Sequence, residues 1–331
     1  MDTIRGTAFL QFGELLSERG ASLRDHLAPH RIGMDVVGDY EKKFSYRSLV
    51  QIFEGSARAL SMPEFGMELA KRQKSTLLGP LQHLAQTAPT AGEGLAAVVR
   101  YMRIYSPSIM FHIERRPGCQ LLVFRNALPC IEEIPQIVEK SLLHGRLLMA
   151  EILGTPFQPV TVLLRHQPQA EAEVYREYFG CPVLFGQEHN ALVISRKDMQ
   201  RPSARHDPML HSIVRFYLEA HSTADEKLSL EVERQIHALL PVQRCSLEQV
   251  ALALRLHPRT LQRRLANDGI DFEEHVDAIR KHRAEQLLSQ SNLTIGQISL
   301  QLGYTRATSF CRAHQRWFGM TPVEHRRQLK H

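Results

Sequence analysis

Arg259, Thr260, Gln262, Arg263 and Arg264 lie within six consecutive positions, and Thr305, Arg306, Thr308, Ser309 and Arg312 form a second set within eight. A guanidinium group can donate two hydrogen bonds to guanine O6 and N7, a glutamine amide can pair with adenine N6 and N7, and hydroxyls suit phosphate oxygens. Each good two-point base contact is worth ~1–3 kcal/mol of discrimination. Residue type alone does not separate base readers from phosphate clamps, because the hydroxyls of Thr305, Thr308 and Ser309 fit either use. Both sets point to nucleic acid recognition.

Such side chains work as a set only when one helical face presents them and the opposite face is anchored. The stretch SLEQVALALRLHPRTLQRRL (residues 246–265) is echoed 48 residues later by TIGQISLQLGYTRATSFCRA (residues 294–313). Ser246 with Gln249, and Thr294 with Gln297, have capping-box spacing, which starts a helix in each copy. Leu247, Val250, Ala251 and Leu254 then share a helical face, as do Ile295, Ile298 and Leu302. A break follows at residues 255–257 and 303–305, where Gly303 suits a left-handed C-cap. A second helix begins with Pro258 in its first turn, or with Thr305 as its N-cap, and carries one apolar anchor, Leu261 or Phe310. Helix, three-residue turn, helix is the helix-turn-helix pattern.

Between the copies, DFEEHVDAIRKHRAEQLLSQ sets Phe272, Val276, Ile279, Leu287 and Leu288 on what reads as one helical stripe. A helix of about nineteen residues at ~1.5 Å each spans about 28 Å. That approaches the ~34 Å between successive major-groove faces of B-DNA. The charge agrees: residues 228–331 hold 15 Lys and Arg against 10 Asp and Glu, whereas the rest of the chain holds 26 against 25. A local basic surplus is the footprint of a polyanion binder.

At 331 residues with 43% hydrophobic and 23% charged residues, the chain is expected to form two globular domains. Residues 1–205 read as α+β. Helical spacing in LQFGELLSERG, YRSLVQIFEGSARAL, PLQHLAQTA and GEGLAAVVRYMRIY precedes a hairpin, IMFHIER and CQLLVFRN, split by Arg116-Pro117-Gly118. A long helix in IPQIVEKSLLHGRLLMAEILG, short strands in PVTVLLR, PVLFG and NALVIS, and a helix in AEAEVYREYFG complete it. Residues 206–227 read as an interdomain helix and linker, with Asp207 and Pro208 as its cap and first turn, and residues 228–331 as all α. Tyr101, Arg103, Tyr105, His144 and Arg146 read as polar edges of core helices, so no effector site is assigned.

No apolar run approaches the ~18–20 residues of a spanning helix, and the first residues lack a secretory pattern, so a cytoplasmic protein is expected. Cys119, Cys130, Cys181, Cys245 and Cys311 contain no Cys-x-x-Cys and read as reduced, mostly buried thiols. An N-terminal enzyme fused to a DNA-binding half is a rival reading, but neither His-Glu-x-x-His, Gly-x-Ser-x-Gly nor a phosphate-binding loop is present, and Gly92-Glu93-Gly94 lacks a third glycine. Pro29 spoils the helix that would pair His26 with His30, so neither a catalytic residue nor a metal site nor a cofactor is expected. RNA binding would need exposed stacking aromatics, whereas Phe310, Trp317 and Phe318 sit at core spacing.

GYTRATSFCRAHQRWFGMTPVEHRR (residues 303–327) resembles the signature of the AraC/XylS family, with Thr308, Phe310, Arg312, Phe318, Gly319, Thr321 and Pro322 in the positions of that pattern. The resemblance covers about residues 231–327. Cys311, where the family often has a small polar residue, and Arg306, where it is often acidic, depart from it. CPVLFGQEHNALVISRKDMQRPSARHDPML (residues 181–210) resembles the arabinose-binding-like N-terminal domain shared with ornithine-utilisation regulators. These resemblances imply an α+β domain that senses a small-molecule effector and forms a homodimer, followed by a DNA-binding domain of two helix-turn-helix units joined by a linker helix. They imply a transcription regulator, an activator by contact with RNA polymerase or a dual regulator, that engages two consecutive major grooves of duplex DNA. Neither the effector nor a redox role for Cys311 follows from them.

Overall fold

Pro117 and Gly118, the latter at φ +75°, close a two-residue turn between β3 (Ile109–Arg116) and β4 (Cys119–Asn126), whose register runs from Arg116 opposite Cys119 to Ile109 opposite Asn126. The proline presets φ and the glycine accepts a positive one, so the turn is local chemistry. The computed structural model describes every residue except 1, 127, 129–133, 222–223, 244, 268–269, 291–292 and 331, and only the backbone of 221, 224–227, 229–230, 267, 282, 290 and 330. Cys130 lies outside the described residues. The chain divides into two compact units, Met1–His221 and Ser222–His331.

In the first unit β1 (Thr3–Arg5) pairs antiparallel with β2 (Lys43–Ser45). Helices α1 (Phe12–Glu18), α2 (Leu23–Leu27), α3 (Tyr46–Ala59), α4 (Phe65–Gln73), α5 (Pro80–Gln86) and α6 (Ala91–Tyr105) precede the hairpin. Then come α7 (Pro135–Leu153), β5 (Thr161–Leu163), α8 (Ala172–Phe179), β6 (Val183–Leu184), β7 (Asn190–Ser195), α9 (Arg196–Gln200) and α10 (Pro208–His221). The main sheet has the order β3-β4-β7-β5-β6, antiparallel except for β5 with β6. Gly145 lets α7 approach it, since a Cβ there would stand 2.9 Å from Leu192 and 3.1 Å from Leu122. The mixed α+β character matches the sequence reading. The β1–β2 ladder and α4 were not anticipated: three-residue strands are too short to show alternation, and α4 buries Phe65, Met67, Leu69 and Ala70 on nearly all sides, which erases a stripe.

Asp207 caps α10 as expected, its Oδ1 accepting from the Leu210 N–H at 2.9 Å. The helix packs on α5 within the first unit. The regular elements among the described residues of the second unit are all helices: α11 (Ala224–Leu239), α12 (Leu247–Ala253), α13 (Pro258–Asn267), α14 (Phe272–Gln290), α15 (Ile295–Gln301), α16 (Ala307–Phe318) and α17 (Pro322–Lys330). It has two cores. One gathers Val232, Ile236, Val250, Leu261 and Val276, and the other Leu287, Leu288, Ile298, Leu302 and Phe310. Cys181 is buried, Cys119, Cys245 and Cys311 are half-buried, and all four are free thiols.

Candidate nucleic-acid interface

Ser246 Oγ accepts from the Gln249 N–H at 3.3 Å and starts α12. Arg255 then takes a left-handed φ of 55°, which reverses the chain into α13. His257 Nδ1 accepts from the Arg259 N–H at 3.2 Å, and Pro258 occupies the first helical position, where its missing N–H costs nothing. Leu261 and Leu265 are buried beneath α13. At ~100° per residue, Arg259 and Arg263 stand opposite Leu261, Gln262 lies to one side, and Thr260 and Arg264 to the other. All are exposed except Thr260, which is half-buried.

The second unit repeats this arrangement with a complete capping box: Thr294 Oγ1 accepts from the Gln297 N–H, and the Gln297 side chain accepts from the Thr294 N–H at 2.8 Å. Here the left-handed residue is Gly303, φ +79°, and a Cβ would lie 2.8 Å from the Leu240 carbonyl oxygen. Glycine is required twice over, by conformation and by close approach. One expectation is corrected: the N-cap of α16 is Arg306, not Thr305, and no side chain caps it. The helix begins at Ala307, so the Thr305 hydroxyl falls one residue short of the N–H groups it would satisfy. Thr308 and Arg312 project opposite the buried Phe310, Ser309 flanks them, and Cys311 is half-buried on the other flank. Gln315, which sequence reasoning passed over, shares the Thr308–Arg312 face at helical spacing, although its amide also donates to Gly319 O at 2.9 Å.

Among the described residues the guanidinium groups of Arg259, Arg263, Arg264, Arg306 and Arg312 engage no carboxylate, whereas Arg316 is held by one. Asp277 on α14 accepts from Arg316 through both oxygens at 2.8 Å and from Trp317 Nε1 at 2.7 Å. Arg280, one turn further, donates to Leu302 O at 3.0 Å and lies 4.9 Å from the centre of the Tyr304 ring. The linker helix thus clamps the second helix-turn-helix at its turn and at the far end of α16. At the close of the unit, His314 Nδ1 pairs with Met320 O at 2.9 Å and His314 Nε2 with His325 Nδ1 at 3.0 Å. Burial lowers both imidazoles, His325 to about 4, so this pair is neutral at pH 7.

The reading of α14 as a single stripe is also corrected. Phe272, Val276 and Ile279 face the first core, while Ala284, Leu287 and Leu288 face the second on a side turned by roughly 100°. One continuous helix therefore serves two cores that lie in different directions from its axis.

Residues 20–203 match the family described as the arabinose-binding domain of AraC transcription regulators, N-terminal, and residues 250–328 match a helix-turn-helix domain. The chain is 32% identical over 327 residues to the HTH-type transcriptional regulator VirS of Mycobacterium tuberculosis, covering 98% of this chain and 96% of that one. The chain belongs to the AraC family of transcription regulators. This AraC-type protein is also 26% identical to the ornithine utilization regulator of Pseudomonas aeruginosa, over 95% of this chain and 93% of that one. The crystal structure of the regulator CdpR from Pseudomonas aeruginosa superposes with a TM-score of 0.40 at 21% identity, over 92% of this chain and 96% of that one. The AraC-type regulator is thus a DNA-binding helix-turn-helix protein with an arabinose-binding-type N-terminal domain. No helix among its described residues is long and apolar enough to cross a membrane.

Proposed function

We propose that this regulator reads two consecutive major grooves on one side of duplex DNA, α13 in one and α16 in the other, as a cytoplasmic homodimer that activates transcription under control of a small effector. The observation that carries the reading is the pair of helices whose outward faces bear arginines free of described carboxylates, joined by the 19-residue α14. Residues opposite the buried anchors, Arg259, Arg263, Thr308 and Arg312, point toward base edges. The flanking Thr260, Gln262, Arg264, Thr305, Arg306 and Ser309 face the groove walls and hold phosphates, helped by the first-turn N–H groups of α16, which no side chain caps.

For the dimer, α10 supplies an apolar face: Met209, Ile213 and Phe216 are 75%, 54% and 73% exposed at helical spacing. Exposed apolar faces of this kind mark association surfaces. Selection of bound sequences from a random duplex pool tests both parts. The full-length protein is expected to return paired copies of a composite site whose two segments lie ~10–10.5 base pairs apart, and Ile213→Asp only single copies. A single short segment from the wild type would overturn the two-groove reading, and paired sites from the variant the dimer surface. With RNA polymerase and a promoter carrying the selected site, transcript should rise on adding the protein; a fall would make it a repressor.

A further inference from the structure

The N-terminal unit holds a cavity bounded by α3, α6, α7 and the β3–β4 hairpin, with an open volume of about 60 Å³, several times the ~10–15 Å³ that one water needs. Its wall is hydrocarbon, with Leu49, Leu95, Val98, Met102 and Leu148 prominent. Five polar side chains interrupt it: Tyr46, Tyr105, Lys140, Ser141 and His144. Ser141 is half-buried, and none of the other four is more than 8% exposed. The Tyr46 hydroxyl and His144 Nε2 have no hydrogen-bond partner among the described residues. Lys140 has no described counter-ion, and its Nζ lies 5.8 Å from the centre of the Phe53 ring. The acids on neighbouring positions are committed elsewhere, Glu54 to the Gln136 N–H and Glu139 to the Tyr175 hydroxyl.

A buried amine facing hydrocarbon without an anion is costly, and well-packed proteins avoid it. Burial accordingly pulls Lys140 down to about 7, and burial together with the Lys140 charge holds His144 well below the ordinary imidazole range. The lining is apolar with a few polar groups set into it, as in small-molecule sites. One amine offers one positive charge, and the wall around it could not solvate the second charge of a phosphate.

We propose that this cavity is the effector site and that it takes a small monocarboxylate with a hydrocarbon body, the carboxylate seated on the Lys140 ammonium and the Tyr46 hydroxyl. The assignment rests on the reading that the N-terminal unit senses a small molecule. Bound there, the anion supplies the counter-charge that no described residue provides, and the hydrocarbon body displaces water from the apolar wall.

Calorimetric titration of the full-length protein with acetate and propionate, which suit a space of about 60 Å³, and with 1-propanol as the uncharged match, tests it. Propionate is expected to bind the wild type saturably, at least tenfold more weakly after Lys140→Met and severalfold more weakly after Tyr46→Phe, with propanol unchanged within about twofold across the three. Lys140→Met removes a buried charge that no described residue neutralises, so the variant is expected to fold and to melt no lower than the wild type. Equal propionate affinity in wild type and Lys140→Met, propanol binding the wild type as tightly as propionate, or no saturable binding of either carboxylate would overturn the site. Affinity for the selected duplex, measured on the same samples with and without propionate, separates the two readings. Propionate binding that leaves DNA affinity and transcript level unchanged removes the effector role while the carboxylate site stands.

Discussion

Replacing Arg263 and Arg312 together by alanine is expected to abolish sequence-selective DNA binding while leaving both cores intact. Each arginine is exposed, stands opposite a buried anchor and has no described carboxylate partner, so truncation removes no packing and strands no buried charge. The cost at each position is ~1–3 kcal/mol if the contact is a two-point base contact. The two sit on separate helix-turn-helix units, so their losses should add to ~2–6 kcal/mol, roughly 30-fold to more than 10⁴-fold. Fluorescence anisotropy with the selected duplex and a scrambled one, at two salt concentrations, reads the outcome. Selective affinity that falls while non-specific affinity holds fits base contacts. A uniform loss with a salt slope reduced by about 0.9 per residue would reassign the arginines to phosphates, and unaltered selectivity would remove them from the interface.

Phe310→Ala should act on the other side of the same helix. The ring is fully buried among Leu287, Leu288, Ile298 and Leu302, and its removal is expected to cost ~3–5 kcal/mol, most of what a small core of this size can supply. Because Leu261 belongs to a different cluster, the damage should stay local. Hydrogen exchange checks this: amides of α15 and α16 should lose protection while those of α12 and α13 keep theirs. Equal loss in all four helices would mean that α14 transmits the cavity and that the two cores unfold as one. Undiminished protection in α16 would mean that Phe310 is not its anchor.

The parts of the site that could be read from the sequence are those whose causes are local. A hydroxyl three residues before a glutamine, apolar residues at helical spacing and a glycine at a left-handed turn act within a few residues of one another, and both helix-turn-helix units follow from them. Thr305 shows the edge of that reach: two adjacent residues could begin α16, and the choice of Arg306 depends on where the first turn packs. The α14 stripe was misread because periodicity is judged along one line, whereas a helix shared by two cores changes its buried side midway.

Asp277 marks the other kind of residue. It lies about forty positions from Arg316 and Trp317, and a lone aspartate on a charged helix carries no sign that three hydrogen bonds will converge on it. Lys140 and Tyr46 are similar. In the sequence one is a charge on a helix and the other opens a helix, and only the packing of α3, α6 and α7 buries both against one apolar cavity. What the sequence by itself determined is the DNA-binding half and the arginines on its outward faces, because helix starts, turns and buried stripes are set by neighbours along the chain. Tertiary structure decided how α14 holds α16 and where an amine with no described counter-ion is enclosed, because those depend on contacts between residues that meet only after the chain has folded.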